Sequence, residues 1–130
     1  MYYLFIIKEK FFNINDNYLY DILYKLKNLK KENYNYGISL FYNVCNLFDV
    51  KSLNNYINLK YKIKRKNNRY YLDKDNYFEI RKSSCIINNY KYLKEILCIF
   101  YIYKKNIFVC NFNTHESFWI KEKFYLKKKV

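Results

Sequence analysis

The chain is 130 residues long, carries a formal net charge of +14, and is 52% hydrophobic and 23% aromatic. That length is one domain, large enough to bury well over half of its unfolded surface. Its apolar content excludes a solvated, unfolded chain, and a small domain so charged repels itself unless a polyanion neutralises it, nucleic acid first and an anionic membrane surface second.

Residues 2–12 are rich in aromatic and β-branched side chains and predict a strand. Asp16 then caps a helix whose apolar face is Leu19, Ile22, Leu23 and Leu26, with Lys27, Lys30 and Lys31 gathered at its end. Gly37 is the only glycine, the one residue free to take a left-handed cap or turn. Residues 37–44 predict a second strand, and residues 45–58 fit either a short helical turn or a loop. Residues 59–66 alternate apolar and basic, a strand pattern. A polar loop over 67–76 leads to a further strand over 77–87. A helix from Tyr90 places Leu93, Ile96, Leu97 and Phe100 on one face, and residues 106–111 form the last strand. The order β-α-β-β-α-β predicts an α+β, ferredoxin-like domain over 1–111: a four-stranded antiparallel sheet with two helices on one face. Residues 112–130 are set apart as a basic, aromatic C-terminal extension.

Phe, Tyr, Met, Ile, Asn and Lys, all with A/T-rich codons, make up 86 of the 130 residues, and Gly, Ala, Arg and Pro together only 4. An A/T-rich genome explains this, an organelle genome before a parasite nucleus. Tyr and Phe then stand where Leu or Val would pack, and Lys replaces Arg wherever a positive charge suffices. The longest strongly apolar run, residues 96–103, is far short of the roughly 20 residues that span a bilayer. The N-terminus has neither a basic leader with a small-residue cleavage site nor an Arg- and Ser-rich presequence, which suits a protein made inside the organelle.

Catalytic and metal chemistry find little support. Cys45, Cys85, Cys98 and Cys110 form no CxxC, and His115 is the only histidine, so no zinc or other cofactor site is expected. The cysteines read as free thiols in a reducing compartment, Cys98 and Cys110 as small core residues. His115 lies near Ser117 and Glu116 only in sequence. Asp73 and Asp75 form a D-x-D that reads as a solvated loop, and one glycine cannot build a phosphate loop.

The strongest signal is basic. On a strand over 59–66, Lys60, Lys62, Lys64 and Lys66 share one face, with Leu59, Tyr61 and Ile63 on the other, where Arg65 breaks the apolar pattern. Arg69, Arg81 and Lys82 lie close by in chain order. Such a stripe can track phosphates, with Tyr70 and Tyr71 available to stack on unpaired bases. Codon bias alone would also produce an outer face of lysines.

The stretch Tyr61-Lys62-Ile63-Lys64-Arg65, a polar loop, and Phe78-Glu79-Ile80-Arg81 resembles ribosomal protein ten of the small subunit, whose segments read Y-T-V-L-R and F-E-I-R. Ile86-Ile87 stands where that family has L-I. The following helix and strand come at similar spacings, so the resemblance runs from Tyr61 to about Asn111. The family's proline-rich segment is absent. Its S-P-H is replaced by Lys66-Asn67-Asn68 and its T-H-K-R by Lys82-Ser83-Ser84-Cys85.

The resemblance implies the same β-α-β-β-α-β fold with a protruding basic hairpin inserted into ribosomal RNA of the small-subunit head. It also implies a structural, non-enzymatic role in an organellar, mitochondrial ribosome beside neighbouring head proteins. Lys60, Lys62, Lys64, Arg65, Lys66, Arg69, Arg81 and Lys82 are then the RNA-contacting residues. The competing expectations are a soluble accessory subunit of another organelle complex, such as a respiratory one, and, more remotely, a small RNA-processing enzyme.

Overall fold

A computed structural model of the protein describes residues 1–122. Eight strands and four helices lie within them: β1 (Tyr2–Ile7), α1 (Asp16–Lys27), α2 (Tyr34–Val44), β2 (Cys45–Asn46), α3 (Val50–Lys60), β3 (Lys64–Lys66), β4 (Arg69–Tyr71), β5 (Tyr77–Glu79), β6 (Cys85–Ile87), α4 (Leu93–Tyr103), β7 (Ile107–Asn111) and β8 (Glu116–Trp119). Short 3-10 turns precede α1 and α2, and a further helical turn opens at Ile120. The strands form one antiparallel sheet in the order β3-β4-β5-β6-β1-β7-β8, with β2 paired to the far end of β1.

This overturns the four-stranded ferredoxin-like sheet with two helices on one face. The physical reason lies in the central strands. Every residue of β7 is buried, and in β1 only Tyr3 is partly exposed. A strand apolar on both faces has to be covered on both. Leu4, Ile6, Ile107 and Val109 pack on one side against Leu53 and Ile57 of α3 and Leu93, Ile96, Leu97 and Phe100 of α4. Phe5, Ile7, Phe108 and Cys110 pack on the other against Leu19, Tyr20 and Leu23 of α1 and Val44 of α2. The sheet is the middle of three layers.

Residues 37–44 are helix rather than strand. Gly37, Leu40, Phe41 and Val44 fall at i, i+3, i+4 and i+7 and face inward, while Ile38 and Tyr42 point out at 57% and 50% exposure. Gly37 takes no left-handed conformation. Its role is a close approach, because a Cβ there would stand 2.0 Å from Leu29 Cδ1. Residues 45–58 resolve into β2 and α3. The Asp49 side chain accepts from the Ser52 backbone N–H at 3.1 Å and caps α3, which runs on through Lys60.

The helix therefore consumes the front of the alternating stretch. Lys60 is its last residue, Leu59 is 87% exposed instead of in the core, and only Lys64–Lys66 is strand. The loop expected over 67–76 contains β4, and the long strand over 77–87 is broken into β5 and β6. The stretch set apart as an extension contributes β8, paired to β7, and buries Phe112, Phe118, Trp119 and Ile120; residues 123–130 of it lie outside the described residues. All four cysteines are free, and Cys98 is exposed rather than a core residue. Burial pushes the Cys45 thiol up to about 12.

The sheet's basic end is fixed by aromatic packing. Tyr70 and Phe78 are fully buried, their rings stacked with centroids 5.0 Å apart, and Phe100 of α4 meets Phe78 edge-on at 5.6 Å. Tyr70 donates its hydroxyl to Asn54 Oδ1 of α3 at 2.7 Å, which satisfies the buried polar tip. Phe78→Ala should therefore lower stability by about 3–5 kcal/mol. Leu59→Ala should change it by less than about 0.5 kcal/mol. Urea midpoints of the two variants check both values, and a large loss at Leu59 would contradict its exposed place at the end of α3.

Candidate nucleic-acid interface

The two faces of β3-β4-β5 differ sharply. Cross-strand partners in an antiparallel sheet point to the same side. Arg65 opposes Tyr70, which opposes Phe78, and this set faces the α3–α4 layer. Lys64 opposes Tyr71, which opposes Tyr77; Lys66 opposes Arg69, which opposes Glu79. This second set continues the face that α1 and α2 cover farther along the sheet, yet none of it belongs to the core beneath those helices. Lys64 and Lys66 are exposed, and Arg69, Tyr71, Tyr77 and Glu79 are half-buried. The result is an open patch of sheet carrying three cations, two tyrosines and one carboxylate.

Glu79 organises the arginines. Arg69 Nε donates to Glu79 Oε1 at 2.6 Å, and Arg81 Nε donates to Oε2 of the same carboxylate. The Arg69 hydrogen bond is the larger influence, and with Arg81 it outweighs partial desolvation and holds the Glu79 carboxyl below its ordinary 4.5. Arg69 also lies over the Tyr77 ring, its guanidinium carbon 4.4 Å from the centroid, and Tyr77 meets Tyr71 at 5.4 Å. Both arginines are thus fixed in place, and neither carries a fully free charge. Among the described residues, Lys62, Lys64, Lys66 and Lys82 have no carboxylate partner.

Two recesses border this end of the sheet. One, of about 550 Å³, is lined by Lys66, Arg69, Tyr71, Glu79, Arg81 and Lys82 together with the Asn67-Asn68 turn. The other, of about 650 Å³, is lined by Asp49, Lys51, Asn54, Asn55, Arg65 and Lys82 among others. They meet at Val50 and Lys82. The β3–β4 turn between them is built on Asn67, which takes a left-handed φ of 57°, a conformation asparagine tolerates. Arg65 Nε donates to the Asn67 carbonyl at 2.7 Å, and Asn54 Nδ2 donates to Asn68 Oδ1 at 3.3 Å, so the hairpin tip is tied back to α3.

Of the eight residues expected to contact RNA, the fold gathers Lys64, Arg65, Lys66, Arg69, Arg81 and Lys82 at this end. Lys60 and Lys62 fall away from the strand: Lys60 closes α3, with its Nζ 5.3 Å from the Tyr56 ring, and Lys62 lies in the link that follows. Tyr70 is removed from any stacking role by its burial. Tyr77 joins the surface unannounced, through its register opposite Tyr71, while Lys51, in the first turn of α3, lines the second recess.

The other candidates stay apart from it. Asp73 does turn work: it accepts from the backbone N–H of Asp75 and Asn76 and pairs with Lys91 at 3.2 Å, which holds its carboxyl well below the usual range. His115, in the β7–β8 turn, has its Nδ1 3.1 Å from the Tyr20 hydroxyl. Among the described residues no group of three His, Cys, Asp or Glu side chains is placed to hold a metal ion, and no helix is long and apolar enough to cross a membrane. No protein-family model matches the sequence, and no curated protein matches it.

A carboxylate whose folded pKa is depressed stabilises the fold fully above its unfolded value, and the contribution fades as pH falls through the folded value. For Glu79 the loss therefore starts near pH 4.5 and continues below it. Glu79→Gln should be less stable than wild type at pH 7, and the gap should be narrower at pH 3. Urea denaturation at the two pH values measures this; a gap independent of pH would mean that the arginine clamp contributes nothing electrostatic.

Proposed function

We propose that the protein is a non-catalytic, RNA-binding component of an organellar, mitochondrial small ribosomal subunit, docked on ribosomal RNA of the head beside neighbouring proteins. The observation that carries the RNA reading is the open face of β3-β4-β5. There the fold leaves Lys64 and Lys66 exposed and, among the described residues, without carboxylate partners, next to an arginine pair held in a fixed geometry. In a protein of net charge +14, such a face is suited to a phosphate backbone.

The ribosomal reading rests further on the resemblance of residues 61–65 and 78–81 and on the A/T-biased composition. On this reading the interface differs from the one the resemblance implied. Those two segments are not partners in one hairpin, because β4 lies between β3 and β5. The hairpin offered to RNA is instead β3–β4, residues 64–71, with Arg81 and Lys82 on its flank. Lys60, which ends α3, and Lys62, in the link after it, lie outside the RNA-facing set proposed here.

Two measurements test the proposal. The protein should sediment with small-subunit RNA and stay there after a high-salt wash; comigration with membrane complexes would favour the accessory-subunit reading instead. Lys64→Glu with Lys66→Glu should weaken RNA binding. It should also reduce the slope of log K against log salt by about 2, one for each phosphate that a lysine no longer neutralises. An unchanged slope would remove the open face from the interface.

A further inference from the structure

The open face carries more than charge. Phosphate contacts alone need lysines and arginines, and duplex RNA is recognised largely through shape, phosphates and 2′-hydroxyls. Here two tyrosine rings sit among the cations. Tyr71 and Tyr77 are cross-strand partners on the exposed side of β4 and β5, with centroids 5.4 Å apart. Arg69 extends the surface by laying its guanidinium 4.4 Å from the centre of the Tyr77 ring. Lys64 opposes Tyr71 on the other side, and Lys66 opposes Arg69.

The neighbouring aromatic pair shows the contrast. Tyr70 and Phe78, one residue away on each strand, face inward and are fully buried. Among the described residues, Tyr71 and Tyr77 take no part in either core. Two half-exposed rings, tilted 45° to one another, and a guanidinium, edged by exposed lysines, offer what an unstacked base and its phosphates require.

We propose that Tyr71, Tyr77 and Arg69 form a stacking platform for unpaired bases, so that the segment bound at this face is single-stranded RNA, with Lys64 and Lys66 on its phosphates. The adjoining recess of about 550 Å³, lined in part by Tyr71, Arg69 and Lys82, is of the size that ligand sites have and gives the chain a path off the platform. Duplex RNA holds its bases in the stack and cannot use the rings. The inference rests on the RNA reading above and adds to it the kind of RNA.

The test compares the intact protein binding an unstructured octanucleotide RNA, carrying one 2-aminopurine, with a duplex of equal length. Single-stranded RNA should bind more tightly, and binding should quench the 2-aminopurine as it stacks. Tyr71→Thr and Tyr77→Thr keep a strand-forming residue at half-exposed positions. Each should weaken single-strand binding about 5- to 100-fold and abolish the quench. Tyr71→Phe and Tyr77→Phe should restore both, since the ring and not the hydroxyl does the stacking.

Lys64→Glu with Lys66→Glu should weaken single strand and duplex alike. If duplex binds as well as single strand and the threonine variants bind like wild type, the platform is wrong while RNA binding stands. If neither RNA binds, the RNA reading and the platform fall together.

Discussion

The two central strands have no face for water, and the fold follows from that. Leu4 and Ile6 of β1 point one way, Phe5 and Ile7 the other, and all four are buried; β7 repeats the pattern. One helical layer cannot satisfy such strands. The chain supplies two, α3 with α4 and α1 with α2, and it extends the sheet on both sides of β1. The two layers do not reach equally far. The aromatic stack of Tyr70, Phe78 and Phe100 carries the α3–α4 layer out beneath β4 and β5. The core of the α1–α2 layer stops at β1, β2, β7 and β8 and their connections. Part of the sheet surface is left open by this mismatch, and the basic face occupies it.

Electrostatics there are arranged rather than merely accumulated. A scatter of lysines would follow from codon bias alone. Two of the chain's three arginines, by contrast, converge on the single carboxylate of Glu79, and one of them also covers an aromatic ring. Ion pairs exposed to this degree contribute little to stability. Their effect is geometric: Arg69 is held over the Tyr77 ring, and Arg81 is held in the lining of the recess. Among the described residues, Lys64, Lys66 and Lys82 beside them have no carboxylate partner. Paired arginines and exposed lysines therefore share one surface.

Much is legible in the residues, and the failures share one cause. Strand β1, helix α1 with Leu19 and Leu23, helix α4 with Ile96 and Phe100, and strand β7 all stand near where periodicity predicts them. Helix α2 reads as a strand, although Gly37, Leu40, Phe41 and Val44 keep helical spacing. Its outer face also carries Tyr34, Tyr36, Ile38 and Tyr42, so the contrast between inside and outside vanishes. In a chain where Tyr and Ile are frequent everywhere, apolar no longer means buried. The same bias hides α3. Asp49 is a good cap, and Leu53, Tyr56 and Ile57 follow it at helical spacing, but Leu59 at 87% exposure imitates the start of an apolar strand face. The basic alternation after it is real only over Lys64–Lys66, where the helix has ended.

By itself the sequence determined that this is an α+β chain with a strongly basic character, a first strand and a last predicted strand apolar on both sides, and cationic side chains concentrated after residue 60. Those properties are local: composition, charge and the spacing of apolar residues do not depend on what lies across the sheet. Whether a given tyrosine is core or surface does depend on it. Tyr70 and Tyr71 are adjacent and chemically identical. Strand pleat sends one beneath α3 and α4 and the other to the uncovered side, while register with β5 sets Phe78 against the first and Tyr77 against the second. Pairing between strands and the reach of a helical layer are long-range facts, and they are what turned a run of lysines and tyrosines into a surface with an inside and an outside.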